Sequence, residues 1–340
     1  MDTKVAVFEQ KNESKSPLGS LIFVGMGILH PSIPLFLKLL FFKAHFRLDR
    51  VLISGLVIIT AASIGLLNSS LIAMGSWFYL GIFVLYHKQI KSEKTLYSVI
   101  PLFSWFSVSL FLGFMFPVWD EGELRIGFYG GEPNFTGFYL LIFALSLFQR
   151  NMNKIGYCVI AFAALITLSR TAFVAGILIF IMKEYLPRKG IKKFFYLVVP
   201  VVFLGGLAIY FNIFDSTGYV FGYKRLYQFN DSSSLERVSL IVEWSSLLFS
   251  DGLYFLIGYP PEIINDFYSH HLVVHNSFIL RAVTTGIIYT AIIVFIAFRI
   301  LPREVFVILM VYCLLLHTLL SLPLIVILAL LFGNRKRIFK

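Results

Sequence analysis

"AALITLSRTAFVAGILIF", residues 163–180, is an apolar run broken once, by Ser169 and Arg170. Read as one helix, it would hold a guanidinium in the middle of a hydrocarbon-like segment, at a cost of roughly 2.5–3.5 kcal/mol on membrane-insertion scales. Read as two helices meeting at Ser169–Arg170, it puts the charge at a helix end, within reach of water or an anion. Basic residues flank the region on both sides, Arg150 and Lys154 before it, Lys183, Arg188 and Lys189 after it. A chain with such flanks enters and leaves on one side. Residues 155–186 are therefore expected to form a tight helical hairpin.

The same argument extends along the chain. Of 340 residues, 58% are hydrophobic and only 14% charged, where a soluble domain carries about a quarter charged residues. Apolar segments fall near 51–67, 70–87, 95–117, 133–149, 194–212, 276–299, 304–316 and 318–333. Residues 18–42 read as a second hairpin, because Pro31 and Pro34 in "HPSIP" break a helix. The expected fold class is all-α: a polytopic membrane protein of about twelve transmembrane helical passes with one moderate outer loop. The expected parts of this single 1–340 domain are an N-terminal bundle (18–117), a motif-bearing bundle (118–211), the outer loop (212–274), and C-terminal helices with a basic tail (275–340). The polar first seventeen residues do not read as a cleavable signal peptide.

The net charge of +11 is sorted by loop. Lys and Arg gather in short connections and in the tail, whereas Asp120, Glu121, Glu123, Glu132 and Asp215 to Asp266 fill the others. This pattern orients a membrane protein with both termini in the cytoplasm and argues against nucleic acid as a partner. Cys158 and Cys313 lie in apolar runs and read as packing residues. Within the outer loop, Ser234–Phe249 reads as an amphipathic helix with Leu235, Val238, Ile241, Val242, Ser245 and Leu248 on one side.

The chemistry-bearing candidates stand near these helix ends. Arg170 suits an anion, because its planar fork holds two oxygens at once. Arg125 precedes "GFYGGEPN", where Gly127, Gly130 and Gly131 permit close backbone approach and Asn134 opens a helix. Glu236 and Arg237 lie on the amphipathic helix. "HHLVVHN" carries His270, His271 and His275. His271 and His275 have the spacing of metal ligands on a helix, but no Glu follows His271 as zinc hydrolases of the HExxH type require. His275, beside Asn276 at a helix start, is better placed as a general base.

"GEPNFTG" at 131–137, "TLSRTA" at 167–172, "ERVSLIVEW" at 236–244 with "LIGYP" at 256–260, and "VHNSFILRAVTTG" at 274–286 together resemble the bacterial O-antigen polymerase and O-antigen ligase superfamily. The resemblance covers roughly residues 120–300. It implies a metal-independent glycosyltransferase of the cytoplasmic (inner) membrane, without cofactor, acting on its outer side. Its substrates would be lipid-linked oligosaccharides, a polyprenyl-pyrophosphate-linked donor and a lipid-linked acceptor. The lipid bilayer, a chain-length regulator and a flippase would be its other partners. Under this resemblance Arg170, Arg237 and Arg125 hold the pyrophosphate and His275 takes the acceptor proton, with Ser169, Asn276, Asn134 and Glu236 in support. The implied activity is polymerisation of a surface polysaccharide. Its alternatives are ligation of the polymer to a lipid A-core acceptor and transport of a lipid-linked oligosaccharide.

Overall fold

The computed structural model describes residues 48–92, 118–120, 123–125, 133–184, 232–270, 272, 274–316, 319–332 and 338. Twelve helices and one small ladder are described. They are α1 (Leu48–Asn68), α2 (Leu71–Ser92), β1 (Val118–Asp120), β2 (Glu123–Arg125), α3 (Pro133–Gln149), α4 (Asn153–Thr167) and α5 (Arg170–Glu184). After these come α6 (Ser232–Leu248), α7 (Gly252–Ile257), α8 (Pro261–His270), α9 (Ser277–Thr285), α10 (Ile287–Ile300), α11 (Arg303–Leu315) and α12 (Leu322–Phe332). The expected hairpin at 18–42, the segments 95–117 and 194–212, and the loop residues 212–231 lie outside the described residues.

The hairpin at Ser169–Arg170 forms as its flanks require. Helix α4 ends at Thr167, Leu168 takes the left-handed conformation (φ 46), and α5 starts at Arg170. The far ends are tied by Lys183 Nζ donating to Asn153 Oδ1 at 2.6 Å and by the Tyr157 hydroxyl donating to Glu184. Helix α3 packs beside this pair. It is apolar on every side and is accordingly buried on nearly every side.

The expectation of about twelve membrane passes is corrected. Among the described residues one helix is long and apolar enough to cross a membrane, over Asp49–Leu67. Helices α3 to α12 are 6–17 residues long. At 1.5 Å per residue even the longest reaches roughly 26 Å, short of a ~30 Å hydrocarbon core. Helix α2 turns polar after Leu85, at "YHKQIKS". The apolar runs instead feed a shared core of α1–α5 and α10–α12, in which Phe138, Leu145, Ile179, Ile293, Leu309 and Phe332 are closed off. The expectation of a multi-pass inner-membrane protein with two cytoplasmic termini falls with the pass count. The all-α class stands, apart from the β1–β2 ladder, which pairs Val118 with Arg125 in a segment read as loop.

A second, smaller core joins α6, α8 and α9 through Leu240, Trp244, Leu248, Tyr259, Ile264, Val274, Ala282 and Val283. The α6 helix is where the sequence placed it, but its buried stripe is Leu240, Trp244 and Leu248; Val238 and Val242 are exposed. Two glycines set how this unit meets the main core. Gly258 (φ +96) brings its backbone against Thr284 and Thr285, and Gly286 (φ +86) brings its own against Leu256. Gly286 also splits the expected 276–299 helix into α9 and α10.

A Cβ on Gly286 would stand 2.1 Å from the Leu256 carbonyl oxygen. Gly286→Ala is therefore expected to lose more than about 2 kcal/mol, from backbone strain plus the clash. Gly55→Ala on α1 meets nothing within 4 Å, so it should be neutral or stabilising by up to ~1 kcal/mol. Thermal unfolding of the two variants in detergent checks the contrast.

Candidate functional site

The Ser-Arg motif is organised by hydrogen bonds between two helix starts. Ser169 caps α5 by accepting from the Ala172 N–H at 3.1 Å, and its hydroxyl donates to Asn134 Oδ1 at 2.5 Å. Asn134 is the second residue of α3, so the first turns of α3 and α5 are joined side by side. Thr167 completes the turn, donating to the Ala163 carbonyl at 2.6 Å and accepting from the Ser169 N–H at 3.3 Å. Asn134, Thr167 and Ser169 are buried, and Arg170 beside them is half-buried.

Glycine lets these turns close against α11. A Cβ on Gly137 would fall 2.8 Å from Ala172 Cβ and 3.1 Å from the Tyr312 hydroxyl. The Tyr312 ring meets the Phe138 ring edge-on at 5.1 Å. The Tyr312 hydroxyl is buried and has no hydrogen-bond partner among the described residues, and burial pushes its pKa well up.

The His-Asn motif reaches the same end of α11. Asn276 caps α9, its Oδ1 accepting from the N–H groups of Phe278 at 3.0 Å and Ile279 at 3.1 Å. Its Nδ2 donates to the Leu314 carbonyl at 3.4 Å. Ser277 donates to the Leu316 carbonyl and accepts from the Leu319 N–H at 3.1 Å. Tyr312 and Leu316 are one helical turn apart, roughly 6 Å along the axis. The starts of α3, α5 and α9 therefore converge on the C-terminal end of α11. The positive ends of three helix dipoles and the guanidinium of Arg170 share this end of the bundle, an arrangement that favours negative charge.

The other expected site residues are placed less directly. His275 is half-buried, immediately before the α9 cap. Arg237 is half-buried and Glu236 exposed on α6. Their helix reaches the histidine segment through Trp244, whose indole N–H donates to the Leu272 carbonyl at 2.9 Å. Arg125 lies on β2 with its backbone opposite Val118. His271 lies outside the described residues. Among the described residues no group of three His, Cys, Asp or Glu side chains is placed to hold a metal ion.

Sequence reasoning missed Ser277, Trp244 and the groove along α9. Ser277 had a signal, since a polar residue directly after a helix cap faces whatever the cap faces. The groove had none, because its lining comes from four helices: Leu248 on α6, Phe278 and Ile279 on α9, Val294 and Phe298 on α10, and Phe306 on α11. It encloses about 670 Å³, and its wall is almost wholly apolar.

No family model, curated protein or solved structure matches this chain. With no such match and no multi-pass architecture among the described residues to host the reaction, the polysaccharide polymerase expected from the motifs is overturned. The ligase and transporter alternatives and the lipopolysaccharide setting fall with it.

Asn276→Ala removes both acceptor contacts of the α9 cap and is expected to cost about 1 kcal/mol. Asn276→Ser, which keeps a capping oxygen, should recover most of that. Denaturant titration of the three proteins in detergent decides it; equal loss in both variants would show that the Leu314 contact, not the cap, matters.

Proposed function

We propose that this protein binds an anionic amphiphile at a lipid bilayer. The observation that carries the reading is the change of polarity along α9. At its start stand His275, Asn276 and Ser277, beside the convergent helix N-termini. From Phe278 and Ile279 onward the same helix walls the apolar groove. A hydrocarbon chain fits the groove, and an anionic head group then falls toward the first turn of α9, the positive end of its dipole. Arg170, on the neighbouring start, adds charge of the right sign to that end.

The bilayer enters through α1 and α2. Leu52, Leu56, Ile59, Leu66, Leu67, Leu71 and Ile72 are exposed by half or more of their area. This is a broad apolar face on the one hairpin, among the described residues, that contains a helix of spanning length. Contiguous apolar surface of this kind marks a membrane or protein contact, and its length and continuity with a spanning helix favour the membrane.

The groove is tested with cis-parinaric acid, a fluorescent carboxylate with one hydrocarbon chain, titrated into the detergent-purified full chain. Wild type should bind it saturably. Ala291→Trp, which places an indole in the groove wall, should weaken binding by about tenfold, while flotation of the protein on lipid vesicles stays as in wild type. Equal affinity in a stably folded Ala291→Trp variant would remove the groove as the binding site, and non-saturable uptake would remove the function.

A further inference from the structure

Arg281 is a second cation within the bundle, one turn into α9 and on a different face from the groove. Its Nε donates to the Leu320 carbonyl at 2.9 Å, and Nη1 lies 3.5 Å from the Ser76 hydroxyl of α2. Its electrostatic neighbours among the described residues are the Tyr289 hydroxyl and the Cys313 thiol, and none is a carboxylate. The Leu320 contact has a structural purpose, because it satisfies a carbonyl between α11 and α12. It uses one of five guanidinium N–H groups. Arg281 is half-buried, and a partly desolvated guanidinium with donors to spare favours an oxyanion partner.

The surroundings are rich in further donors. Tyr289 of α10 lies beside both Arg281 and Ser76. Trp77, next to Ser76, meets the Tyr289 ring at 5.3 Å between centroids. The Trp77 side chain is only 6% exposed, yet its indole Nε1–H has no acceptor among the described residues. An indole N–H buried without a partner is uncommon and wants an acceptor. A guanidinium without a carboxylate and an indole donor without an acceptor thus flank the same Ser76–Tyr289 pair.

We propose that Arg281, Ser76, Tyr289 and Trp77 form a binding site for an oxyanion, a phosphate or carboxylate group held among α2, α9 and α10. The guanidinium donates to two of its oxygens, and the two hydroxyls and the indole N–H supply neutral donors. This site is independent of the groove. It locks α2 to α9 and α10 when occupied, because its donors come from all three.

The test uses the detergent-purified full chain with inorganic phosphate at constant ionic strength, read by thermal unfolding and by tryptophan fluorescence. Wild type should gain thermal stability saturably and show a fluorescence change. Trp77→Phe should lose the fluorescence change and bind more weakly. Arg281→Gln should bind roughly thirtyfold more weakly or not at all, as expected when one member of a buried charge pair is truncated. A parallel titration with dihexanoyl phosphatidate identifies the source. A response to the lipid alone assigns the site to a head group, and a response to both assigns it to the free anion as well. Should Arg281→Gln fail to accumulate, Tyr289→Phe and Trp77→Phe decide; phosphate affinity unchanged in both overturns the site. No saturable response to either probe in wild type, or an equal response in Arg281→Gln, also overturns it. None of these outcomes depends on parinarate binding, so the groove and the anion site stand or fall separately.

Discussion

The backbone carbonyls between α11 and α12 need hydrogen-bond donors, and the side chains of α9 provide them. Helix α11 stops at Leu315 and α12 starts at Leu322, so the carbonyls of Leu316 and Leu320 fall outside both helices and that of Leu314 in the last turn of α11. Asn276 reaches Leu314, Ser277 reaches Leu316 and Arg281 reaches Leu320. A buried carbonyl left without a donor costs about 1–3 kcal/mol. Three such contacts, one from the cap residue Asn276 and two from the helix itself, therefore fix where α9 sits and which way its first turn faces. The convergence of helix starts, the groove and the Arg281 cluster all follow from that placement.

Glycine makes the placement possible from the opposite side. Gly258 and Gly286 each bring backbone onto backbone where a side chain would intrude, so the α7–α8 corner seats against the α9–α10 break. Gly137 admits side chains instead, those of Ala172 on α5 and Tyr312 on α11. The polar motifs are thus carried on short, broken helices held by close backbone contact. Broken helices cost internal hydrogen bonds, and each break here is repaired by a neighbour: Ser169 at α5, Asn276 at α9, and Ser277 and Arg281 across the α11–α12 link.

Much of the local structure was legible in the sequence because it rests on local rules. Ser169–Arg170 marked a helix boundary, Pro133–Asn134 a helix start, and His275–Asn276 the start of α9. Ser169 and Asn276 each bind N–H groups in the first turn of their own helix, within three positions. The stripe on α6 was misplaced because the aliphatic residues suggested one face, while the largest side chain, Trp244, carried the other into the core. The pass count failed for a related reason. Hydropathy measures how apolar a segment is, not what covers it, and α3 is covered by protein on nearly every side. Gly286 was invisible as a break because its conformation is imposed by Leu256, thirty residues away.

Placing the motif residues at one end of the bundle does not make them a catalytic centre. Asn134, Ser169, Asn276 and Ser277 are buried and spend their polar atoms on one another and on backbone, as residues that hold helices together do. Binding asks less of them than catalysis would. They need only keep three helix N-termini pointed at one region, with Arg170 and His275 at its partly open side. That fixed field attracts negative charge without any side chain having to move, and α9 extends it directly into a hydrocarbon-lined groove. On the proposed reading, a ligand that satisfies both halves is anionic at one end and apolar along the rest, and the exposed apolar face of α1 and α2 suits contact with the lipid phase that holds such molecules.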